Sequence, residues 1–371
     1  MVNNTFRADV ITNWGEFKAL GDEWNELLHE TNAHSIFLTW EWVTSCGEAA
    51  RWKMDPFVVV VWDNDNKLVG VAPLYIKSYR LVGVVPIRVL RLLPDVVNGS
   101  EYLDFIAHNQ FEDSIYRAIF SKLKEYEARW DLMWICRISG WSGALSRLRN
   151  SATAESIKSN MRRSSFSAMP LPKSFSEFMM RLSSKSRSQL RREMRRVFDP
   201  PEIWFTTCSK HDEIPIMLDA LFSLHAERWQ SVGQQGSFAR APTEARFHSI
   251  FAPIALRNGW LRLSTVTETD KIRAVQIGYL YDHVFNSLQE GFSPEYSSGV
   301  GNALRGRIIE ETILEGAEEY DFLGGHSDHK KRWSATERFG GELLLYGKSF
   351  LGTFIGIFGI WPTGRYLNPS S

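Results

Sequence analysis

The sequence predicts an α/β protein made of two similar units. Its 371 residues exceed a typical single domain and can bury a large core in each of two domains. Segments with helical spacing alternate with β-rich runs in both halves. Two short similarities recur in the same order: LVGVAPLY (residues 68–75) resembles IRAVQIGYLY (residues 272–281), and EYLDFIA (residues 101–107) resembles EYDFLGG (residues 319–325). This shared order favours duplication of one α/β unit.

The first half opens with helical patterns and continues with strands. Apolar residues at three-and-four spacing predict a helix over residues 14–30, and a second helix is expected over residues 40–48. Residues 56–76 contain two β-rich runs around an Asp/Asn turn, which predicts a hairpin. The remaining predictions are a strand at residues 101–107, a helix at residues 111–129 and a buried strand at residues 131–138.

The second half follows the same order. Helices are predicted over residues 175–198 and 214–229, and a hairpin over residues 260–281. Residues 286–333 then read as a strand ending in an acidic residue, a glycine-containing turn, a helix and another strand. We expect this last segment to contain the functional site.

A serine-rich, basic interval at residues 151–167 is the predicted boundary, although an internal loop would have the same composition. The predicted division is an N-terminal domain at residues 1–160, a C-terminal domain at residues 161–349 and an apolar tail at residues 350–371. The apolar run in this tail is shorter than the roughly 20 residues of a spanning helix. It is expected to pack on the protein, or to contact a membrane surface or a synthase.

Composition excludes few function classes. The formal net charge is zero, so whole-molecule charge gives no reason to expect nucleic acid as a partner. The three cysteines, Cys46, Cys136 and Cys208, are far apart and have no metal-ligand spacing, as in a reducing compartment. The N-terminus lacks a basic start followed by an apolar core, which argues against a signal peptide. We therefore expect a cytoplasmic protein.

The glycine-containing turn before the predicted helix is the candidate binding site for a phosphate-bearing molecule that donates a group to the substrate. Glycines let the backbone approach a ligand, and the free N–H groups of a first helical turn favour a pyrophosphate. A plain loop-to-helix joint remains the alternative. The predicted donor-binding residues are Ser298, Gly299, Val300, Gly301 and Asn302.

Two further segments carry candidate binding residues. The predicted helix around Arg187, Arg191 and Arg192 is rich in arginine, whose guanidinium group binds phosphate in a bidentate way; the alternative is a solvated helix face. It suggests a phosphorylated ligand such as coenzyme A, a nucleotide sugar, a lipid-linked glycan or aminoacyl-tRNA. His225, Arg228 and Trp229 lie near a helix end, where they suit either acceptor binding or packing.

The segment SSGVG, residues 297–301, resembles the acyl-CoA-binding motif of the GNAT acetyltransferases, Q/R-x-x-G-x-G/A, with Tyr296 where the family has Gln or Arg. The wider chain resembles the two-domain GNAT branch that includes the Fem peptidyl transferases and the CelD-type acetyltransferases of exopolysaccharide loci. The matching segments are FLTWEW, GVAPLY, SRSQLRREMRR, HAERW, QEGFSPEY, DFLGG and KKRW. The resemblance implies two tandem GNAT-like domains, each a mixed twisted sheet flanked by helices.

The same resemblance suggests catalytic residues. Glu290 would act as the base that removes the proton of the attacking amine, with Asp321 as a second candidate. Asp104 occupies the place in the first half that matches Asp321, which argues for a structural role of both. Lys330 falls in the family's Lys-x-x-Trp spacing and would hold a phosphate or stabilise the developing oxyanion. The nearby His and Asp residues match no zinc pattern, so no metal is expected.

The expected function is that of an N-acyltransferase that moves an acyl group from acetyl-CoA or another acyl-CoA to an amine. The acceptor would belong to a sugar, sugar nucleotide or peptide-like molecule of polysaccharide or cell-envelope biosynthesis. One alternative is a Fem-like transferase that uses aminoacyl-tRNA, the one nucleic acid considered as a partner. Another is a non-catalytic partner of a polysaccharide synthase.

Overall fold

The computed structural model describes residues 6–97, 99–231, 233–293, 295–296, 299–362 and 367–369. Contacts divide the chain into two compact units. The first unit combines Met1–Ser165 with Phe339–Ser371, and the second is Phe166–Arg338. This division assigns the C-terminal residues to the first unit. Each unit contains helices and β-strands, which confirms the predicted α/β class.

The elements of the N-terminal part alternate as predicted, with differences in extent. They are β1 (Arg7–Ile11), α1 (Trp14–Lys18), α2 (Gly21–His29), α3 (Trp40–Ala49), β2 (Asp55–Pro56), β3 (Val58–Trp62), β4 (Leu68–Ala72), β5 (Leu74–Leu81), β6 (Val85–Leu92), β7 (Ile106–Ala107), α4 (Glu112–Glu125), β8 (Leu132–Ser139), α5 (Ala144–Ala154) and β9 (Lys158–Pro170). Short 3₁₀ turns lie at Ile36–Leu38, Leu93–Val96 and Glu127–Arg129.

Two predictions in this part were wrong in extent. The helix predicted over residues 14–30 is two helices, because the chain turns at Ala19 and Leu20 between α1 and α2. The strand predicted over residues 101–107 is reduced to β7. Here the carboxylate of Asp104 accepts the N–H of Phe105 at 2.8 Å, so a side chain takes up a backbone donor in place of a neighbouring strand.

The strands of the first unit form antiparallel hairpins and one parallel pair. The predicted hairpin at residues 56–76 is confirmed as β3 and β4, in a sheet with the order β1-β3-β4-β7. Strands β5 and β6 form a second hairpin, and β6 runs parallel to β8. Helices α2 and α3 contribute Trp24, Leu27 and Val43 to the apolar core against the valines of β3.

The interval at residues 151–167 is not a loop, because it contains the end of α5 and most of β9. Its basic side chains find packing partners: the guanidinium of Arg162 lies 4.3 Å from the ring centroid of Trp361, and that of Arg163 lies 3.3 Å from the ring centroid of Phe339. Guanidinium groups stack well on aromatic faces, so a polar strand can pack here.

The elements that follow confirm the predicted order of strand, turn, helix and strand. They are α6 (Phe175–Arg181), α7 (Ser184–Phe198), β10 (Ile203–Thr207), α8 (Glu213–Gln230), α9 (Ser237–Arg240), α10 (Pro242–Arg257), β11 (Leu261–Glu268), β12 (Lys271–Tyr281), β13 (Val284–Phe292), α11 (Val300–Leu314), β14 (Glu319–Gly324), α12 (Asp328–Lys331), β15 (Thr336–Tyr346), α13 (Phe350–Ile357) and β16 (Leu367–Pro369). The helix predicted over residues 175–198 is two helices, because Ser183 caps α7 by accepting the N–H of Ser186.

The sheet of the second unit has the order β10-β11-β12-β13-β14-β9 and is antiparallel except between β13 and β14. Helix α11 covers one face of it and packs Leu304 and Ile308 into a core that also contains Leu190 and Val197 of α7. Within the parts of the chain that the structure describes, no helix combines the length and apolar character needed to cross a membrane.

Candidate functional site

A cleft opens in the second unit where two parallel strands separate. Strands β13 and β14 pair only from Val284↔Glu319 to Asn286↔Asp321. Strand β13 then continues to Phe292 in pairing with β12. The carboxyl-terminal half of β13 therefore lacks β14 as a neighbour, and its side chains line open space.

A cluster of charged side chains occupies this cleft. Arg228 on α8 donates through Nη1 to Oε1 of Glu290 at 3.0 Å. Arg305 on α11 donates through Nη2 to the other carboxylate oxygen, Oε2. The second terminal nitrogen of Arg305, Nη1, lies 3.1 Å from Nε2 of His329. We call these four residues the arginine cluster.

The environment keeps Glu290 ionised. Burial acts to raise the pKa of its carboxyl, but the positive charges of Arg305 and Arg228 hold that pKa below its ordinary value of 4.5. Both carboxylate oxygens accept hydrogen bonds from guanidinium groups. A carboxylate held in this way is a weak base.

His329 is neutral and has a defined tautomer. Guanidinium groups only donate hydrogen bonds, so Nε2 of His329 must accept from Arg305, and the ring proton lies on Nδ1. Desolvation of the ring and the positive charge of Arg305 lower the pKa of His329 to about 4. The imidazole therefore adds no positive charge to the cluster near neutral pH.

The arginine cluster lies on two adjacent clefts and lines both. The helix-side cleft, of about 260 Å³, also includes the start of α11 and the rings of Phe292 and Tyr296. The strand-side cleft, of about 200 Å³, also includes residues of β13, α8 and the β14 exit. Its additional lining residues are His225, Trp229, Ser287, Leu288, Gln289, Phe322 and Lys330.

The predicted donor residues lie together in the helix-side cleft. Gly299, Val300, Gly301 and Asn302 all line it, while Ser298 lies outside the described residues. Gly299 precedes α11 with a φ of 94°, a left-handed conformation that favours glycine. Gly299 thus allows the sharp turn into α11, and the role of this turn in donor binding stays a prediction.

A carboxylate already lies at this end of α11. A Cβ atom on Gly299 would be 2.5 Å from Cγ of Glu193, the one acidic residue of α7. Asn302 donates through Nδ2 to Oε2 of Glu193 at 3.1 Å, and Gln189 donates to Oε1 at 2.9 Å. An anionic ligand at the start of α11 would therefore meet the negative charge of Glu193.

The predicted arginines of α7 do not line the two clefts. Arg191 and Arg192 are exposed, and Arg187 is half-buried, with Nη1 3.8 Å from Sδ of Met180. None of these three arginines lines either cleft. Helix α7 thus presents its arginines on a surface that is separate from the arginine cluster.

The predicted residues of α8 do join the site. Trp229 donates through Nε1 to Nε2 of His225 at 2.9 Å, so the ring proton of His225 lies on Nδ1. Burial, followed by the charge of Arg228, lowers the pKa of His225 to about 4. Arg228 lies 4.6 Å from the ring centroid of Phe292 as well as beside Glu290. All three α8 residues line the strand-side cleft.

Lys330 and Asp321 hold the end of β14. Asp321 accepts the N–H of Leu323 at 2.7 Å, and Leu323 has a left-handed φ of 60°. The ammonium of Lys330 donates to the carbonyls that surround this turn, those of Phe322 (2.8 Å), Leu323 (3.3 Å), Gly324 (2.5 Å) and Gly325 (3.0 Å). These contacts favour anchoring, and the proposed roles of both residues in catalysis stay predictions.

Sequence reasoning missed Arg305 and Glu193, and it considered His329 only as a metal ligand. Arg305 had a signal, because it lies three and four residues before Ile308 and Ile309 and so falls on the apolar face of α11. A charge at such a position requires a buried partner. Across the residues described, no group of three His, Cys, Asp or Glu side chains has the arrangement of a metal site.

Comparison with known proteins agrees with this fold. Residues 184–331 match the family model of the acetyltransferase (GNAT) domain. None of the curated proteins compared with the chain matches it significantly. These residues lie within the second unit and contain the arginine cluster.

Several solved structures have a similar fold. The chain aligns with FemX at a TM-score of 0.67 and 12% identity, over 94% of this chain and 100% of FemX. L-PGS from Bacillus licheniformis aligns at 0.52 and 13%, over 91% and 96%. A tandem GNAT protein from the clavulanic acid biosynthesis pathway aligns at 0.50 and 10%, over 93% and 100%. The chain is therefore similar in fold to a tandem GNAT protein, and residues 184–331 are similar to the acetyltransferase (GNAT) domain.

Proposed function

We propose that this protein transfers an acyl group from acyl-CoA, with acetyl-CoA as the simplest donor, to an amine of a sugar, sugar nucleotide or peptide-like acceptor. The observation that carries the proposal is the arginine cluster, which lines two clefts at once. One reaction centre can thus face a donor on one side and an acceptor on the other.

The helix-side cleft suits the donor. Coenzyme A carries several negatively charged phosphate groups. The arginine cluster has two positive guanidinium groups and one negative carboxylate, that of Glu290, so its net charge attracts phosphate. The start of α11 lines this cleft, so a ligand there would face the positive end of the helix dipole. Glu193 opposes this attraction and would limit donor affinity.

The strand-side cleft suits the acceptor. Ser287, Gln289 and Trp229 offer hydroxyl, amide and aromatic groups, which bind hydroxylated or amide-containing molecules. The resemblance to CelD-type enzymes supports an acceptor from exopolysaccharide or cell-envelope biosynthesis, which we offer as part of the proposal.

The reaction is a direct transfer. The amine nitrogen attacks the thioester carbonyl carbon, the carbon–sulfur bond breaks, coenzyme A leaves as a thiolate, and the nitrogen loses one proton. Cys46, Cys136 and Cys208 are buried and line neither cleft, which supports a path without a covalent cysteine intermediate.

Arg305 is the residue best placed to stabilise the oxyanion. It lines both clefts, and its guanidinium group is held in place by Glu290 and His329. A preorganised donor of this kind is worth about 10²- to 10³-fold in kcat. Because Glu290 is a weak base here, we propose that it orients Arg228 and Arg305 and that the amine proton passes to water. Its role as the base stays a prediction.

The test is an assay of free thiol release from acetyl-CoA, run with separate amino sugars, amino-sugar nucleotides and short peptides as acceptors. We expect the wild-type protein to release free thiol with at least one of these acceptor classes, and we expect the Arg305→Gln variant to lose this activity. Arg307→Gln is the matched control, because Arg307 lies on the same helix and pairs with Glu310 and Glu311 at the surface. An equal rate in Arg305→Gln and Arg307→Gln would contradict the proposal.

A second candidate, transfer from aminoacyl-tRNA, is favoured by one observation. Helix α7 exposes Arg191 and Arg192, and no ion pair of either is found in the described part of the chain. Such a face could bind a phosphate backbone. This candidate predicts that tRNA affinity falls steeply with salt and that Arg191→Gln with Arg192→Gln reduces the salt slope by about two. Undetectable tRNA binding at low salt would remove it.

A further inference from the structure

The first unit exposes an apolar helix face that the acyltransferase proposal does not use. Helix α13 buries Ile355 in the core of the first unit. Its opposite face exposes Phe350, Phe354 and Ile357, and Phe358 follows directly after the helix. Burying these side chains would remove a large apolar surface from water.

The tip of the β5–β6 hairpin exposes further apolar side chains. Val82, Val84 and Val85 are exposed there. The residues that flank the tip, Leu81 and Ile87, belong to the same buried cluster as Ile355 of α13. The hairpin tip and α13 therefore project from one small core. We call their seven exposed side chains the apolar patch; they are 39% to 83% exposed.

Cationic side chains accompany the apolar patch. Arg80 and Arg88 are exposed on the two strands of the hairpin, close to its tip and on the face opposite to Leu81 and Ile87. Lys348 precedes α13, and Arg162 is exposed beside Trp361, which follows α13.

The acidic groups next to the patch are already engaged. Asp131 pairs with Arg88 through an N–O distance of 3.1 Å. Glu127 accepts the backbone N–H of Lys348 at 2.7 Å. Asp131 neutralises Arg88, and the three other cations outnumber the one carboxylate of Glu127, so the surroundings of the patch are positive.

We propose that the apolar patch is a docking surface for a membrane that contains anionic lipid. An apolar face with basic residues beside it is the arrangement that places helices at the headgroup boundary of such membranes. Seven large apolar side chains from one core also exceed the scattered exposure that is ordinary for a soluble surface. A second copy of the chain fits less well, because it would bring two positive surfaces together.

The test is co-sedimentation of the purified full chain with vesicles of phosphatidylcholine alone, and of phosphatidylcholine with phosphatidylglycerol. We expect binding to the anionic vesicles, weakened by salt. The variant Phe350→Ser, Phe354→Ser, Ile357→Ser should bind at least about tenfold more weakly, and Arg80→Gln about fivefold more weakly. Ile216→Ser, which changes an exposed apolar residue of the second unit, is the control and should bind like the wild type.

Two outcomes would overturn the proposal. One is the absence of sedimentation with either vesicle at low salt. The other is a dimer in solution that the triple variant dissociates, which would show that a second copy covers the patch. If the triple variant does not fold, as judged by its circular dichroism and thermal unfolding, Phe350→Ser and Val84→Ser are tested singly. Unchanged binding in both would also reject the proposal.

Discussion

Each unit contains a buried arginine–carboxylate pair, and the two pairs differ in their access to solvent. In the first unit, Arg91 and Asp95 have side chains that are only 8% and 3% exposed. In the second unit, Arg305 is 6% exposed, but its partner Glu290 is 19% exposed and lies on two clefts. The pairs thus share a chemistry but differ in the strands and side chains that surround them.

The local contacts explain the difference. Arg91 is enclosed: its guanidinium lies 3.9 Å from the ring centroid of Trp134 and donates to the hydroxyl of Tyr79, while Cys136 donates to Asp95. Strand β6, which carries Arg91, is paired with β5 up to Leu92. Strand β13 loses β14 after Asn286, which opens the surroundings of Glu290. An enclosed pair contributes to folding, whereas an open pair is available to a ligand.

Breaking the enclosed pair should have the largest effect. Arg91→Gln leaves buried Asp95 with Arg137, 3.5 Å away, as its remaining cation, so we expect it to lower the free energy of unfolding by about 2 to 3 kcal/mol. Urea unfolding measures the change. Arg80→Gln, an exposed arginine on the preceding strand, should change stability by no more than about 0.5 kcal/mol. Equal stabilities of the two variants would show that the enclosed pair is not structural.

Breaking the open pair should affect turnover. We expect Arg305→Gln to lower kcat by about 10²- to 10³-fold, because the oxyanion loses its best-placed donor. Steady-state kinetics of thiol release, with KM and kcat separated, checks this. A variant with normal kcat and only a raised KM would limit Arg305 to substrate binding.

The pH dependence of stability should have opposite signs in the two units. Burial raises the pKa of Asp104 from 3.8 to about 6, against the opposing effect of Tyr116. The folded state then holds a proton that the unfolded state loses, so stability falls by about 3 kcal/mol as pH rises through this window. The pKa of Glu290 is lowered, so its contribution is present above pH 4.5 and is lost as pH falls through its folded pKa.

Urea unfolding between pH 3 and 7 separates these two contributions. Asp104→Asn should flatten the loss of stability on the rise from about pH 4 to 6, and Glu290→Gln should flatten the loss on acidification. If Asp104→Asn leaves the dependence of stability on pH unchanged, the pKa of the Asp104 carboxyl is not raised by burial in the folded protein.

The smallest expected effect concerns the donor cleft. Glu193→Gln removes a negative charge from the start of α11 but keeps an oxygen that can accept from Asn302. We expect it to tighten acetyl-CoA binding about fivefold, equivalent to about 1 kcal/mol. Calorimetric titration measures the change, with Glu177→Gln on the exposed face of α6 as the control. Weaker binding in Glu193→Gln would mean that donor phosphates do not approach this end of α11.

Residue spacing was enough to predict much of the fold. The strand, turn, helix and strand order around α11 and both hairpins follow from local patterns. The positions at which helices end could not be predicted from spacing. The break before α7 depends on Ser183 acting as a helix cap, and the sequence does not distinguish this serine from the others. The reduction of residues 101–107 to β7 depends on one hydrogen bond of Asp104.

The site was predictable in part. Glu290 and the three α8 residues, each a candidate from the sequence, line one cleft, while their roles stay predictions. The pairing of Arg305 with Glu290 was not visible, because residues 15 apart in sequence meet only where β13 and β14 separate. The carbonyl contacts of Lys330 depend on the left-handed turn at Leu323, a backbone conformation that residue types do not reveal.

The most direct measurement of the central claim is hydrogen–deuterium exchange, followed by mass spectrometry, with and without acetyl-CoA. We expect protection in peptides that cover residues 284–305, with no change at residues 101–107 of the first unit. Arg305→Gln should reduce this protection, and Arg307→Gln should not. Protection confined to the first unit, or equal in the two variants, would contradict the claim that the arginine cluster is the reaction centre.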